Sequence, residues 1–255
     1  MRKSRTTAMI AACLGAGALS LGSAFPAGAA QADDTATVSV FHAVPGLTAD
    51  IYANGDKLLP DVKPGTLADP QKLPAGSYDL EIFKAGANPK TADPAIEKTV
   101  EVPAGVNATI VAYLSASGTP QLNAFVNDTS AVAAGKSRLT VRHVAAAPAV
   151  DVRANGTAVF KGLVNPKEDT TEVDAGTVSA DVVLAGTSTV AIGPADLNLK
   201  EGTNNIVYAW GSADQKNLAL KVQTVSVRQS SPGANGAMAS ANSSHAWMAR
   251  TAGAR

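Results

Sequence analysis

Apolar and polar residues alternate in short runs along most of the chain. Val38, Val40 and His42 alternate with Ser39, Phe41 and Ala43. A period of two is the mark of a strand. Turn signals punctuate these runs. Asn54-Gly55 and Asn155-Gly156 each follow a short strand-like run, and Asn-Gly supplies the positive φ angles that a tight hairpin needs. Leu73-Pro74-Ala75-Gly76 precedes the apolar run Tyr78 to Phe83, and Val102-Pro103-Ala104-Gly105 precedes Ala108 to Leu114. Val173-Asp174-Ala175-Gly176 and Leu199-Lys200-Glu201-Gly202 stand in the same relation to later runs. No segment after residue 33 carries helical periodicity with caps. Short strands at intervals of about 8–12 residues predict a sandwich or barrel.

The pattern occurs twice. Val38-Ser39-Val40-Phe41-His42-Ala43 answers Leu139-Thr140-Val141-Arg142-His143-Val144 at an offset of 101 positions. Asp50 to Gly55 answers Asp151 to Gly156 at the same offset, while Ala112-Tyr113 answers Ala209-Trp210 at an offset of 97. Matches at several places with a drifting offset imply two copies of one module with loop insertions. The expected organisation is a β-sandwich module at 34–132 and a second at 138–228, joined through the Ala/Ser/Gly-rich stretch Thr129 to Ser137. The fold class expected is all-β, as two tandem immunoglobulin-like or transthyretin-like Greek-key sandwiches.

Three stretches carry a resemblance to a known family. They are Val38 to Pro45, Asp50 to Gly55 and Leu73 to Leu80. Together they resemble domain-of-unknown-function family 4397, which occurs in exported bacterial proteins, often as tandem copies. The resemblance covers both modules and is better in the first. The second departs at Arg142, Pro148 and Arg153, where the first has Phe41, Leu47 and Tyr52. The resemblance implies an exported all-β protein and implies no activity.

The two ends read differently. Arg2, Lys3 and Arg5 precede a charge-free Ala/Leu/Gly-rich stretch and the small-x-small sites Ala27-Gly28-Ala29 and Ala30-Gln31-Ala32. That order predicts a secretory signal peptide over residues 1–32. A membrane anchor is the alternative, and lipidation at Cys13 is another. Cys13 is the sole cysteine, so a cleaved chain would hold no disulfide and would rest on core burial. Residues 229–255, with Trp247, Met248 and His245, read as a disordered Ser/Ala/Gly/Asn-rich tail. Secretion to the exterior or the cell envelope is the expected localisation, with no membrane span after cleavage.

Composition narrows the partners. Twenty-one basic residues balance 21 acidic ones, so no basic face for nucleic acid is expected. Aromatics are 4% of the chain, so the cores must be mainly aliphatic. Phe41, Tyr52, Tyr78, Phe83, Tyr113 and Phe125 lie in the first module, while the second keeps Phe160, Tyr208 and Trp210. A binding face is therefore expected in the first module.

His42 and His143 are the obvious candidates for chemistry, with Asp50 and Asp151 eight residues after them. A His–Asp pair could orient an imidazole for base catalysis or give two metal ligands. Folding offers a simpler reading. A strand histidine near a loop bonds backbone, an aspartate caps a turn, and copying the fold copies both. No third ligand and no nucleophile accompanies either pair. Ser115 and Ser212 lie outside any Gly-x-Ser-x-Gly elbow, and Glu168-Asp169 reads as solvated loop charge. The four N-x-S/T sequons, at Asn107, Asn127, Asn155 and Asn242, read as chance. The expectation is thus no catalytic, metal-binding or cofactor-binding residue and no cofactor. The protein reads as a non-enzymatic module that binds an envelope protein or glycan, or as a structural spacer. The stretch Leu59 to Gln71 is the candidate loop surface. A secreted hydrolase with a site near His42 and Asp50 is the competing reading.

Overall fold

The computed structural model describes residues 34–228. The expected signal peptide, Cys13 and the 229–255 tail lie outside them. Among the described residues there are strands and turns and no helix. In the first half the strands are β1 (Thr35–His42), β2 (Ala49–Ala53), β3 (Asp56–Val62), β4 (Thr66–Leu67), β5 (Gln71–Pro74), β6 (Gly76–Lys84), β7 (Ile96–Val102), β8 (Asn107–Leu114) and β9 (Pro120–Val126). In the second they are β10 (Lys136–Ala146), β11 (Val150–Ala154), β12 (Thr157–Leu163), β13 (Glu168–Asp174), β14 (Gly176–Leu184), β15 (Val190–Leu199), β16 (Thr203–Ser212) and β17 (Ala219–Ser226).

Each half is a two-sheet sandwich. One sheet runs β3-β2-β6-β7 and its counterpart β12-β11-β14-β15. The other runs β4-β1-β8-β9, with β5 also on β1, and its counterpart β13-β10-β16-β17. In both halves the first strand pairs parallel with the penultimate one, Val38 beside Ala108 and Leu139 beside Asn205. An immunoglobulin sandwich keeps its first two strands in one sheet. Here β1 and β2 lie in different sheets, so the transthyretin-like order is the one of the two expected forms that fits.

The turn chemistry read from the sequence is present. Asn54 and Gly55 have φ of 52° and 84°, and Asn155 and Gly156 have 49° and 79°. Two consecutive positive φ values make the hairpin turn that matches strand twist.

Val38, Val40, Ile51, Ile82, Ile110 and Leu122 point into the first sandwich. Leu139, Val141, Val152, Val182, Leu199 and Val207 fill the second. The alternate residues of β1, β8, β10 and β16 are buried too. They face the other half. Phe41, Val111, Tyr113 and Phe125 pack with Val144, Ile206, Tyr208 and Val225 in a third core. The four sheets therefore stack in layers, with the sheets of β1 and β10 innermost. Trp210 presses on the turn before β4, where a Cβ on Gly65 would lie 3.0 Å from its ring. Asn165 of the second half donates to the Leu114 carbonyl of the first at 2.8 Å. The stretch between the halves is held as well: Arg138 donates to the Ser130 carbonyl at 2.9 Å and Arg228 to that of Thr129.

Two expectations need correction. The stretch Leu59 to Gln71 is not a free loop, because Leu59–Val62 completes β3 and Thr66–Leu67 is β4. Glu168-Asp169 is not loop charge either. It begins β13, and Glu168 accepts from buried Arg142 at 2.6 Å.

Candidate functional site

The repeated histidines and aspartates do structural work. His42 ends β1 fully buried, and its Nε2 donates to the Leu47 carbonyl at 2.6 Å. His143 bonds the Pro148 carbonyl at 2.9 Å in the same way. Burial lowers the pKa of both imidazoles, against a smaller upward pull from these carbonyls. A neutral ring that must donate from Nε2 has only Nδ1 left as an acceptor. In His42 that atom is buried with no partner among the described residues.

Asp50 accepts from Lys57 Nζ at 2.8 Å and from the amides of Asp61 at 2.9 Å and Gly86 at 3.2 Å. Asp151 accepts from the amides of Gly162 at 2.7 Å and Gly186 at 3.0 Å. Asp61 and Gly162 hold φ of 51° and 65° in the irregular strands β3 and β12. Each carboxylate thus pins a strand irregularity to the turn after β6 or β14. The Lys57 bond above all, then the amides, hold Asp50 below the usual carboxylate range, and the two glycine amides do so for Asp151. No hydrogen bond among the described residues joins His42 to Asp50. Ser115 and Ser212 are occupied in turns. Among the described residues no group of His, Cys, Asp and Glu could hold a metal ion.

Most of the aromatics are buried, with Tyr78 and Trp210 partly exposed. Phe41, Phe83 and Tyr208 are at or below 1% exposure, and Tyr52, Tyr113 and Phe125 are buried as well.

The site that stands out is a cavity inside the first sandwich. Its volume is about 350 Å³. Val38 and Val40 of β1, Ile51 of β2, Ile82 of β6 and Ile110 and Ala112 of β8 form its depth. Leu58, Asp69 and Gln71 line it where the residues become exposed. These three lie on edge strand β3 and in or beside the β4–β5 edge, so the cavity opens on that flank.

The corresponding space in the second sandwich is about 20 Å³. Side chains differ in both directions. Leu80, Ile82 and Tyr78 of the first sandwich stand where the second has the smaller Ala180, Val182 and Val178, whereas Val38, Leu59 and Val102 stand where it has the larger Leu139, Phe160 and Leu199. The opening differs too. β13 pairs with β10 in unbroken register from Lys136/Asp174 to Arg142/Glu168. The equivalent edge in the first half is broken. Between Phe41/Leu67 and Val38/Gln71, three residues on one side face two on the other. The extra residue is a bulge, and bulges bend an edge strand and end its pairing. Pro70, in that gap, has no N–H to rejoin the ladder.

The magnitude is large. At ~24 cal/mol per Å³, a sealed dry void of this size would cost about 8 kcal/mol. That rivals the ~5–15 kcal/mol that holds a whole domain together. A cavity of about 300–1,000 Å³ lined by apolar groups with few polar ones is the usual form of a small-molecule site. Sequence reading placed the binding face in the first module but missed the cavity. Its traces were Phe160 where the first half has Leu59, and the offset between the halves, which falls from 101 at Gly55/Gly156 to 100 at Gly76/Gly176. That single extra residue is the bulge.

Comparison with known proteins adds little on ligand. No curated protein matches the chain. A solved structure, the crystal structure of CBMbc (family CBM26) from Eubacterium rectale Amy13K in complex with maltoheptaose, is similar at 12% identity. The match covers 74% of this chain and 96% of that one, with a TM-score of 0.23. So low a score carries no inference about ligand. The resemblance read from Val38–Pro45, Asp50–Gly55 and Leu73–Leu80 is borne out: residues 36–153 match the family model described as Domain of unknown function (DUF4397).

Proposed function

We propose that this protein is an exported, non-enzymatic binding module whose ligand enters the first sandwich, with the second sandwich bracing it from behind. The contrast between a 350 Å³ interior in one half and 20 Å³ in the other carries this reading. Two sandwiches of one strand order, one hollow and one filled, fit a duplicated module in which one copy binds and the other supports. The signal-like amino terminus supports export, to the exterior or the envelope. The glycan reading keeps little stacking surface, because Phe41, Tyr52, Phe83, Tyr113 and Phe125 are buried and Tyr78 alone of the first-half aromatics is partly exposed. A protein partner at the envelope is compatible with the four-layer body, which could present a loaded first half. The hydrolase reading has no support at His42 and Asp50, whose polar groups serve the fold.

The test is to purify the full chain from a secreting host, denature it, and analyse the extract by mass spectrometry. Wild type should release an apolar small molecule in near-stoichiometric amount, and Ala112→Leu, which fills the cavity, should release far less. Equal release from both proteins, or ester hydrolysis that vanishes in His42→Gln, would overturn the proposal.

A further inference from the structure

We infer that the ligand is a single-chain aliphatic molecule of about ten carbons with an uncharged polar head, its chain in the cavity and its head between Asp69 and Gln71. This rests on the reading that the first sandwich binds a ligand at all. The walls are Val, Ile, Leu and Ala, with Tyr78 the only aromatic and no Lys, Arg or His among the lining residues. The Tyr78 hydroxyl is already committed to the Pro74 carbonyl at 2.7 Å. Apart from the Tyr78 hydroxyl oxygen, which can still accept, no side chain in the depth of the cavity can satisfy a polar group, so the buried part of the ligand is hydrocarbon.

Shape follows from the architecture. The space lies between two sheets, which pack about 10 Å apart. Such a slot takes a chain more readily than a fused ring system. A dry cavity of ~150 Å³ holds benzene, so one of 350 Å³ holds roughly a dozen non-hydrogen atoms.

The head group is read from the opening. Asp69 and Gln71 are exposed there, beside Leu58 at 40% exposure. Among the described residues the Asp69 carboxylate has no ion-pair partner. A fatty-acid carboxylate or a phosphate would meet this like charge with no cation lining the site to offset it. The Gln71 amide gives one long bond, at 3.5 Å, to the Asp69 carbonyl and keeps a second N–H and its oxygen, which suits a hydroxyl or an ester.

The test is competition against N-phenyl-1-naphthylamine, an uncharged apolar fluorophore, on the full chain at pH 8. 1-Decanol should displace it at least about fivefold better than decanoate, the scale of one exposed charge–charge contact. Asp69→Asn should bring the two within about twofold. Decanoate competing as well as decanol on wild type would overturn the inference, as would failure of both against a bound fluorophore that Ala112→Leu abolishes. In those two outcomes the cavity still binds and only the ligand class is wrong. A fluorophore that does not bind, or binds Ala112→Leu equally well, would instead overturn the binding reading itself. Thermal melts establish that each variant is folded, and Leu59→Phe near the opening replaces Ala112→Leu if that variant is not.

Discussion

Arg142 donates from Nη1 to the Tyr208 hydroxyl at 2.8 Å, and both residues are buried between the two sandwiches. The Tyr208 hydroxyl in turn donates to Gln223 Oε1 at 2.6 Å, and Gln223 Nε2 donates to Ser39 Oγ of the first half at 3.3 Å. The guanidinium also bonds Glu168 and Asn127 and lies 4.7 Å from the Phe125 ring centre. In the first half the matching residue is Phe41, which packs on Tyr208 at 4.8 Å. A buried polar network and an apolar cluster thus share the interface between the two halves, and both halves contribute to each.

Removing Arg142 should therefore be costly. Arg142→Met takes one hydrogen-bond donor each from the buried Asn127 and Tyr208 and from Glu168, whose side chain is 37% exposed, and should cost about 1–3 kcal/mol. Arg142→Lys keeps the charge and loses the planar fork, so it should fall between Met and wild type. Urea denaturation of the three proteins checks this. A loss below about 1 kcal/mol for Arg142→Met would mean that the network is not desolvated as described.

The histidines predict a pH dependence with a definite sign. Their folded pKa values lie below 6.5 because burial disfavours the imidazolium. The unfolded chain then binds more protons, so stability is full above the unfolded pKa and falls as pH drops from about 6.5 toward the folded values. Each histidine contributes at most about 1.4 kcal/mol per pH unit in that window. Asp50 and Asp151, held below 3.8, act only at lower pH, where their stabilisation disappears as they protonate. Denaturation midpoints from pH 7.5 to 5 should fall for wild type and flatten in the His42→Gln/His143→Gln variant. A wild-type slope that survives in the double variant would place the titration elsewhere.

Ala112 and Ala209 give a matched pair of core tests. They sit opposite His42 and His143 in equivalent strands, at 1% and 2% exposure. Ala112 lines the cavity, whereas Ala209 does not line the small space of the second half. Ala112→Leu should be neutral or stabilising because it fills a void. Ala209→Leu should cost ~1–3 kcal/mol by overpacking. Thermal melts distinguish them, and equal losses at both sites would mean the two interiors are packed alike.

Much of the fold was legible in the sequence because strand alternation and turn chemistry are local. Asn54-Gly55 and Asn155-Gly156 announced their hairpins, and Gly76 and Gly176 begin strands where expected. That His42 would bond backbone near a loop and Asp50 would cap a turn was legible from residue type and position. The departures at Arg142 and Arg153 were visible but not their reasons. Arg142 serves the interface, and Arg153 pairs with Asp181 where Tyr52 instead packs on Phe83 at 5.4 Å. Partners across sheets and between modules leave no local pattern. The cavity was less legible still, since a void depends on how many side chains fill one space together, and its traces were one extra residue near Pro70 and the smaller Val38, Leu59 and Val102 where the second half has Leu139, Phe160 and Leu199.

The most direct test of the central claim is methyl NMR of the full chain, labelled at Ile, Leu and Val, during titration with 1-decanol. Ile51, Ile82 and Ile110 line the cavity in the first half, with Val152, Val182 and Val207 at the equivalent positions in the second. Saturable shifts confined to the three isoleucines and their neighbours are the predicted result. Shifts spread evenly over both halves, or none at any methyl up to the solubility limit of decanol, would contradict a binding site inside the first sandwich.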